Sequence, residues 1–96
     1  MARVEVSADV GDDLDRIFDH LVQHDPSKAP SRINDIIVAI EVLQRNPLIG
    51  RPVGEALREL VIGRDERGYV ALYRYVTEVD TVFVLALRSQ TEAGFS

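Results

Sequence analysis

Residues 57–88 read LRELVIGRDERGYVALYRYVTEVDTVFVLALR, and the fold turns on how that stretch divides. Three segments, LRELVIG, YVALYRYV and TVFVLALR, are rich in Val, Leu, Tyr and Phe, side chains that suit a pleated, half-buried surface. Turn-forming residues separate them at Arg64–Gly68 and Glu78–Asp80, so the stretch reads as an antiparallel meander of three strands. Side chains alternate along a strand, which places Tyr69, Ala71, Tyr73 and Tyr75 on one face and Val70, Leu72, Arg74 and Val76 on the other. In the last segment Val82, Val84, Ala86 and Arg88 oppose Thr81, Phe83, Leu85 and Leu87. Both faces carry apolar groups, the pattern of a central sheet with helices over one side and partial cover on the other. Arg74 interrupts an apolar row. It is either a snorkelling edge residue or part of a site on the open face.

Upstream, Arg3–Ser7 alternates Val4 and Val6 with polar residues, a short strand with one buried face. A helix follows at once. Ser7 or Asp9 can cap it, Asp12 and Asp13 suit the positive end of its dipole, and Val10, Leu14, Ile17, Phe18 and Leu21 form one apolar stripe. Asp25 precedes Pro26 and is pushed out of helical geometry, so the helix is expected to end near His24. A loop at Asp25–Pro30 leads to a second helix, with Ser31 as its cap, the stripe Ile33, Ile36, Ile37, Ile40 and Leu43, and an end at Asn46–Pro47. Two amphipathic helices joined by a short loop pack as an antiparallel hairpin on one sheet face. On this reading Leu14, Ile17, Phe18, Leu21, Ile33, Ile36, Ile37, Ile40 and Leu43 are core, and Ile37→Ala is expected to cost about 2–5 kcal/mol. Leu48–Glu55, with Gly50, Pro52 and Gly54, reads as an irregular connector.

Ninety-six residues, 46% hydrophobic and 28% charged, fit a single ordinary globular domain, residues 1–96. No apolar run approaches the roughly 20 residues needed to span a bilayer, and no signal peptide precedes Val4, so the expected location is the cytoplasm, without a membrane partner. The absence of cysteine excludes disulfides, cysteine nucleophiles and thiolate metal sites. Residues 1–44 carry a net charge of −5, and residues 45–96 balance seven arginines against seven acids. An overall charge of −5 argues against direct nucleic-acid binding, which rests on clustered cations neutralising phosphates.

His20 and His24 stand four apart, one helical turn, but lie outside an HExxH pattern and read as solvated surface histidines; no metal or other cofactor is expected. Asp12, Asp13, Asp15 and Asp19 read as the solvent side of the first helix. No Ser/His/Asp order, phosphate-cradling glycine loop or P-loop is present. What remains is a set of arginines on or near the sheet, Arg58, Arg64, Arg67, Arg74 and Arg88, beside Tyr69, Tyr73 and Tyr75. Arginine suits paired recognition of carboxylate or phosphate, and the tyrosines serve either as core or as a stacking platform.

The order strand, helix, helix, three strands, together with the words NPLIGRP, LRELVIG, GYVALYRY and DTVFVLALRSQTEAGF, resembles the RelE/ParE toxin superfamily of bacterial toxin–antitoxin systems. The likeness spans Val4 to Phe95, and the closing Arg-Ser-Gln-x-Glu-Ala-Gly-aromatic tail looks most like the ParE branch. It implies an α+β fold, a helical hairpin packed on a mainly antiparallel four-stranded sheet that the first strand joins. It also implies a toxin of the kind that stabilises plasmids, held inactive by a cognate ParD-like antitoxin and acting on DNA gyrase by binding rather than by catalysis. The alternative is a RelE-like ribosome-dependent mRNA endonuclease. Against it, Ser89, Gln90, Thr91 and Phe95 follow Arg88, and neither phenylalanine nor glutamine shuttles a proton. The expected target-binding residues are Arg58, Arg74, Arg88 and Phe95, with no catalytic residue.

Overall fold

The computed structural model describes residues 1–63 and 68–90. Strand β1 (Arg3–Val6) leads directly into helix α1 (Ala8–His24), and a single 3-10 turn at Pro26–Lys28 connects it to helix α2 (Ala29–Val42). Strands β2 (Arg51–Gly54), β3 (Leu57–Ile62), β4 (Tyr69–Val76) and β5 (Thr81–Ser89) follow. Among the described residues they form one sheet in the order β1-β5-β4-β3-β2. The meander read from residues 57–88 is present as β3, β4 and β5, antiparallel throughout, and β1 joins the outer side of β5 in parallel.

The sheet has one strand more than the sequence implied. Arg51–Gly54, expected as irregular connector, pairs antiparallel with β3, Arg51 opposite Glu59 and Pro52 opposite Arg58. Edge placement explains why a segment with Pro52 and Gly54 can be a strand: proline lacks an N–H that an edge does not need, and the register shifts between Pro52 and Gly54. An Arg51–Glu59 ion pair at 2.5 Å ties the edge to its neighbour.

The core lies between the helices and one sheet face. It gathers Val10, Ile17 and Leu21 from α1, Ala29 and Ile36 from α2, Leu43 just beyond it, and Ile62, Tyr69, Ala71, Tyr73, Val82, Val84 and Leu87 from the sheet. Tyr69 and Tyr73 are therefore core. Leu14, Ile33 and Ile40 pack at its margin. Phe18 and Ile37 were expected inside and are not: they are 46% and 45% exposed. Successive helical residues differ by about 100° in direction, so a helix that rests on the sheet along Ala29, Ile36 and Leu43 turns Ile37 away from it.

Three local expectations are also corrected. Ser7 occupies the N-cap of α1 but makes no side-chain cap bond; its hydroxyl donates to the Leu85 carbonyl at 3.2 Å. Ser31 lies inside α2 and donates to the Lys28 carbonyl at 3.1 Å; the helix begins earlier, at Ala29, with Pro30 in the first turn where its fixed φ and missing N–H fit. Strand β5 does not alternate throughout. Tyr73 lies opposite Val84 and Leu72 opposite Ala86, leaving Leu85 as an extra residue, a β-bulge that puts Leu87 rather than Ala86 on the helix face.

Candidate target-binding surface

The bulge decides where β5 presents its side chains. Beyond it Leu87 stands opposite Ala71 and is fully buried, and Arg88 stands opposite Val70 on the face without helices. Strand β1 pairs only with Thr81–Val84, so the outer edge of β5 continues past the end of its neighbour. Backbone groups on a buried edge need partners. Helix α1 and the cap before it supply them: Ser7 Oγ donates to the Leu85 carbonyl, the Leu87 N–H donates to Asp13 Oδ2 at 2.9 Å, and Arg16 Nη2 reaches the Leu87 carbonyl at 3.4 Å.

Asp13 is the centre of this arrangement, and its reading as a solvent-side acid is corrected: it is 6% exposed. Its Oδ1 accepts from Arg88 Nη1 at 2.6 Å and from Arg16 Nη1 at 2.9 Å. Burial alone would raise its pKa, but the Arg16 hydrogen bond, the Leu87 N–H and the Arg88 charge outweigh it and hold the carboxyl below its ordinary value. The signal was present in the sequence. Asp13 stands three residues after Val10 and four before Ile17, both fully or almost fully buried, and so lies on the apolar stripe rather than opposite it.

The structure does not bring the expected target-binding residues together. Arg58 lies across from Tyr73, on the helix side of the sheet, and its Nη1 donates to the carbonyls of Gly50 at 2.7 Å and Leu48 at 3.1 Å. Tyr73 completes that junction, its buried hydroxyl accepting the Gly50 N–H at 2.8 Å. Burial raises the Tyr73 pKa. Arg74 is exposed on the opposite face, across from Phe83, and its charge helps lower the pKa of Glu78, which is lowered chiefly by the Thr77 hydroxyl. Arg88 sits at the β5 edge, bonded to Asp13 and to the Leu87 carbonyl. Phe95, like Arg64 and Arg67, lies outside the described residues.

Around Arg74 the open face is apolar, with Val70, Leu72, Val76 and Phe83 partly or wholly covered and Val61 51% exposed. The Tyr75 hydroxyl lies 2.5 Å from Asp80 Oδ1, which raises the tyrosine's pKa. The rings of His20 and His24 lie tilted at 36° with centroids 4.4 Å apart. Among the described residues no group of three or more His, Asp or Glu is placed to hold a metal ion, and no helix is long and apolar enough to cross a membrane.

A helical hairpin on one face of a mixed five-stranded sheet, with an open face carrying arginine among apolar residues, defines a small α+β domain. Residues 4–94 match the family described as ParE toxin of type II toxin–antitoxin system, parDE, and the chain belongs to that family. Among solved structures it is similar to one from the chromosomal ParDE system of P. aeruginosa, with 27% identity and a TM-score of 0.78 over 93% of this chain and 96% of that one. It shares its fold, at 21% identity and a TM-score of 0.59, with a chain of the RelBE2 toxin–antitoxin complex of Mycobacterium tuberculosis, over 92% of this chain and 96% of that one. A metal-bound toxin from Helicobacter pylori has the same fold at 14% identity and a TM-score of 0.55, over 98% of this chain and 100% of that one. No curated protein matches the chain.

Proposed function

We propose that this ParE-family toxin inhibits DNA gyrase by binding it and is neutralised in the cytoplasm by a cognate ParD-like antitoxin. The observation that carries the reading is the likeness to the ParDE structure, which extends over nearly all of both chains. The described surface supports a binding mode. Arg74 stands exposed among apolar neighbours on the open sheet face, a composition suited to protein recognition, where arginine and aromatic anchors dominate. Arg74, Arg88 and Phe95 contact the target, and Arg58 acts through the connector whose carbonyls it holds. The antitoxin segment covers apolar groups of the open face or adds to a sheet edge, and its basic residues meet the exposed acids of α1, Asp12, Asp15 and Asp19.

The test is a toxin titration of supercoiling and DNA cleavage by gyrase, run beside cleavage of ribosome-bound mRNA. Wild type inhibits gyrase, and Arg74→Ala shifts the inhibition curve to higher concentration with excess toxin restoring the effect, as loss of an interface contact requires. In a nuclease, loss of a charge-stabilising arginine would instead cut the rate about 10²–10³-fold at every toxin concentration. Gyrase left untouched, with mRNA cut at defined codon positions, refutes the reading.

A further inference from the structure

The outer edge of β5 past Val84 is completed by side chains, and the Asp13 carboxylate joins two of its residues, Leu87 and Arg88. Asp13 accepts the Leu87 N–H with one oxygen and draws the guanidinium of Arg88 with the other, at 2.9 and 2.6 Å. By register Arg88 projects from the open face opposite Val70, so the Asp13 bond brings its head group round to the edge where α1 crosses the strand. Arg16, one turn further along α1, bonds the same oxygen and the Leu87 carbonyl, which fixes the carboxylate from the other side. A buried carboxylate with three donors has one low-energy position, and a guanidinium bonded to it loses most of its rotamer freedom before any partner arrives.

We propose that Asp13 is a positioning residue for target inhibition. It touches no target; it fixes the last residues of β5 and the direction of the Arg88 guanidinium, and so pre-organises that end of the surface. The inference rests on the proposed role of Arg88 in binding gyrase. It adds that the cost of ordering Arg88 is met within the free toxin by a residue more than seventy positions away in sequence.

The experiment is a double-mutant cycle read in gyrase inhibition. Asp13→Asn, Arg88→Gln and the double variant are purified from their antitoxin complexes and refolded. Each is assayed at its measured folded fraction, with urea stability and antitoxin affinity recorded separately. Asp13→Asn keeps an oxygen for the Leu87 N–H and replaces the one that Arg88 and Arg16 share with an NH2 donor, so it breaks the Arg88 contact while sparing the backbone bond and carries the test if Asp13→Ala does not fold. The expected result is a roughly tenfold rise in half-inhibitory concentration per folded molecule for Asp13→Asn, with the double variant no weaker than Arg88→Gln alone, the mark of two residues acting as one. A merely structural Asp13 would lower the urea midpoint and leave inhibition per folded molecule unchanged. That outcome, or effects that multiply in the double variant, overturns the inference while the gyrase reading stands. Wild type inert toward gyrase overturns both.

Discussion

Gly50→Ala tests the junction that joins the connector to the core. A Cβ built on Gly50 would stand 2.6 Å from Tyr73 Cε1, 2.7 Å from its hydroxyl oxygen and 2.9 Å from the Glu59 carbonyl, all shorter than real Cβ contacts. The ring has little room to yield, since Tyr73 is fully buried with Arg58 and Val84 as its cross-strand neighbours. Forcing a methyl into a packed site costs about 1–3 kcal/mol. If the ring moves, the Gly50 N–H loses its acceptor, and an unsatisfied buried donor costs about 1–3 kcal/mol more. The expected destabilisation is therefore about 2–6 kcal/mol, read as a lower urea midpoint at unchanged slope. For a domain of this size each kcal/mol lowers Tm by roughly 4–8 °C. Tyr73→Phe, which removes the acceptor alone, is expected to cost about 1–3 kcal/mol, and the double variant less than the two single costs together because the hydrogen bond is lost only once. A Gly50→Ala protein within about 0.5 kcal/mol of wild type would show that the connector is not held against Tyr73 as described.

Two further outcomes follow from burial and charge. Ile36→Ala, at a fully buried position, is expected to cost about 2–5 kcal/mol, and Ile37→Ala on the half-exposed side of α2 well under half of that; urea unfolding of the pair checks the direction in which α2 faces. Asp13 has a pKa lowered in the folded chain, so the stability it contributes is complete above its unfolded pKa of about 3.9 and disappears as pH falls through the lower folded value. Wild type should lose stability more steeply than Asp13→Asn below about pH 4, and parallel acid-unfolding curves for the two proteins would contradict a stabilising role for the bonds of Asp13 to Arg16, Leu87 and Arg88.

What the sequence disclosed and what it concealed divide along a physical line. Period-two runs of β-branched and aromatic residues located β3, β4 and β5 to within a residue or two, because each run is long and bounded by turn residues. The edge strand β2 carries no such signal. Its stabilising partner, the Glu59 carboxylate of β3, is supplied by tertiary structure, and its Pro52 and Gly54 argue locally for a loop. On the helices the apolar stripe was legible but its orientation was not, since four isoleucines in α2 span a wider arc than the sheet covers.

The single residue inserted at Leu85 had the largest consequence for the candidate site. Read as unbroken alternation, β5 puts Ala86 and Arg88 on the face of Val82 and Val84 and sends Leu87 to the other. The bulge reverses this for every residue after it: Leu87 enters the core, and Arg88 turns to the open face. It also places the Leu87 N–H at an edge that β1 is too short to reach, which is the donor Asp13 needs in order to be buried. No propensity marks a bulge among Val, Leu and Ala, since its cause lies in the fit of β5 to β4 and to α1 rather than in local preference. The same residue shift therefore accounts for two misreadings at once, the face of Arg88 and the exposure of Asp13. A carboxylate on an apolar helical stripe and an apolar residue out of alternation on a strand are, in this chain, two ends of one contact.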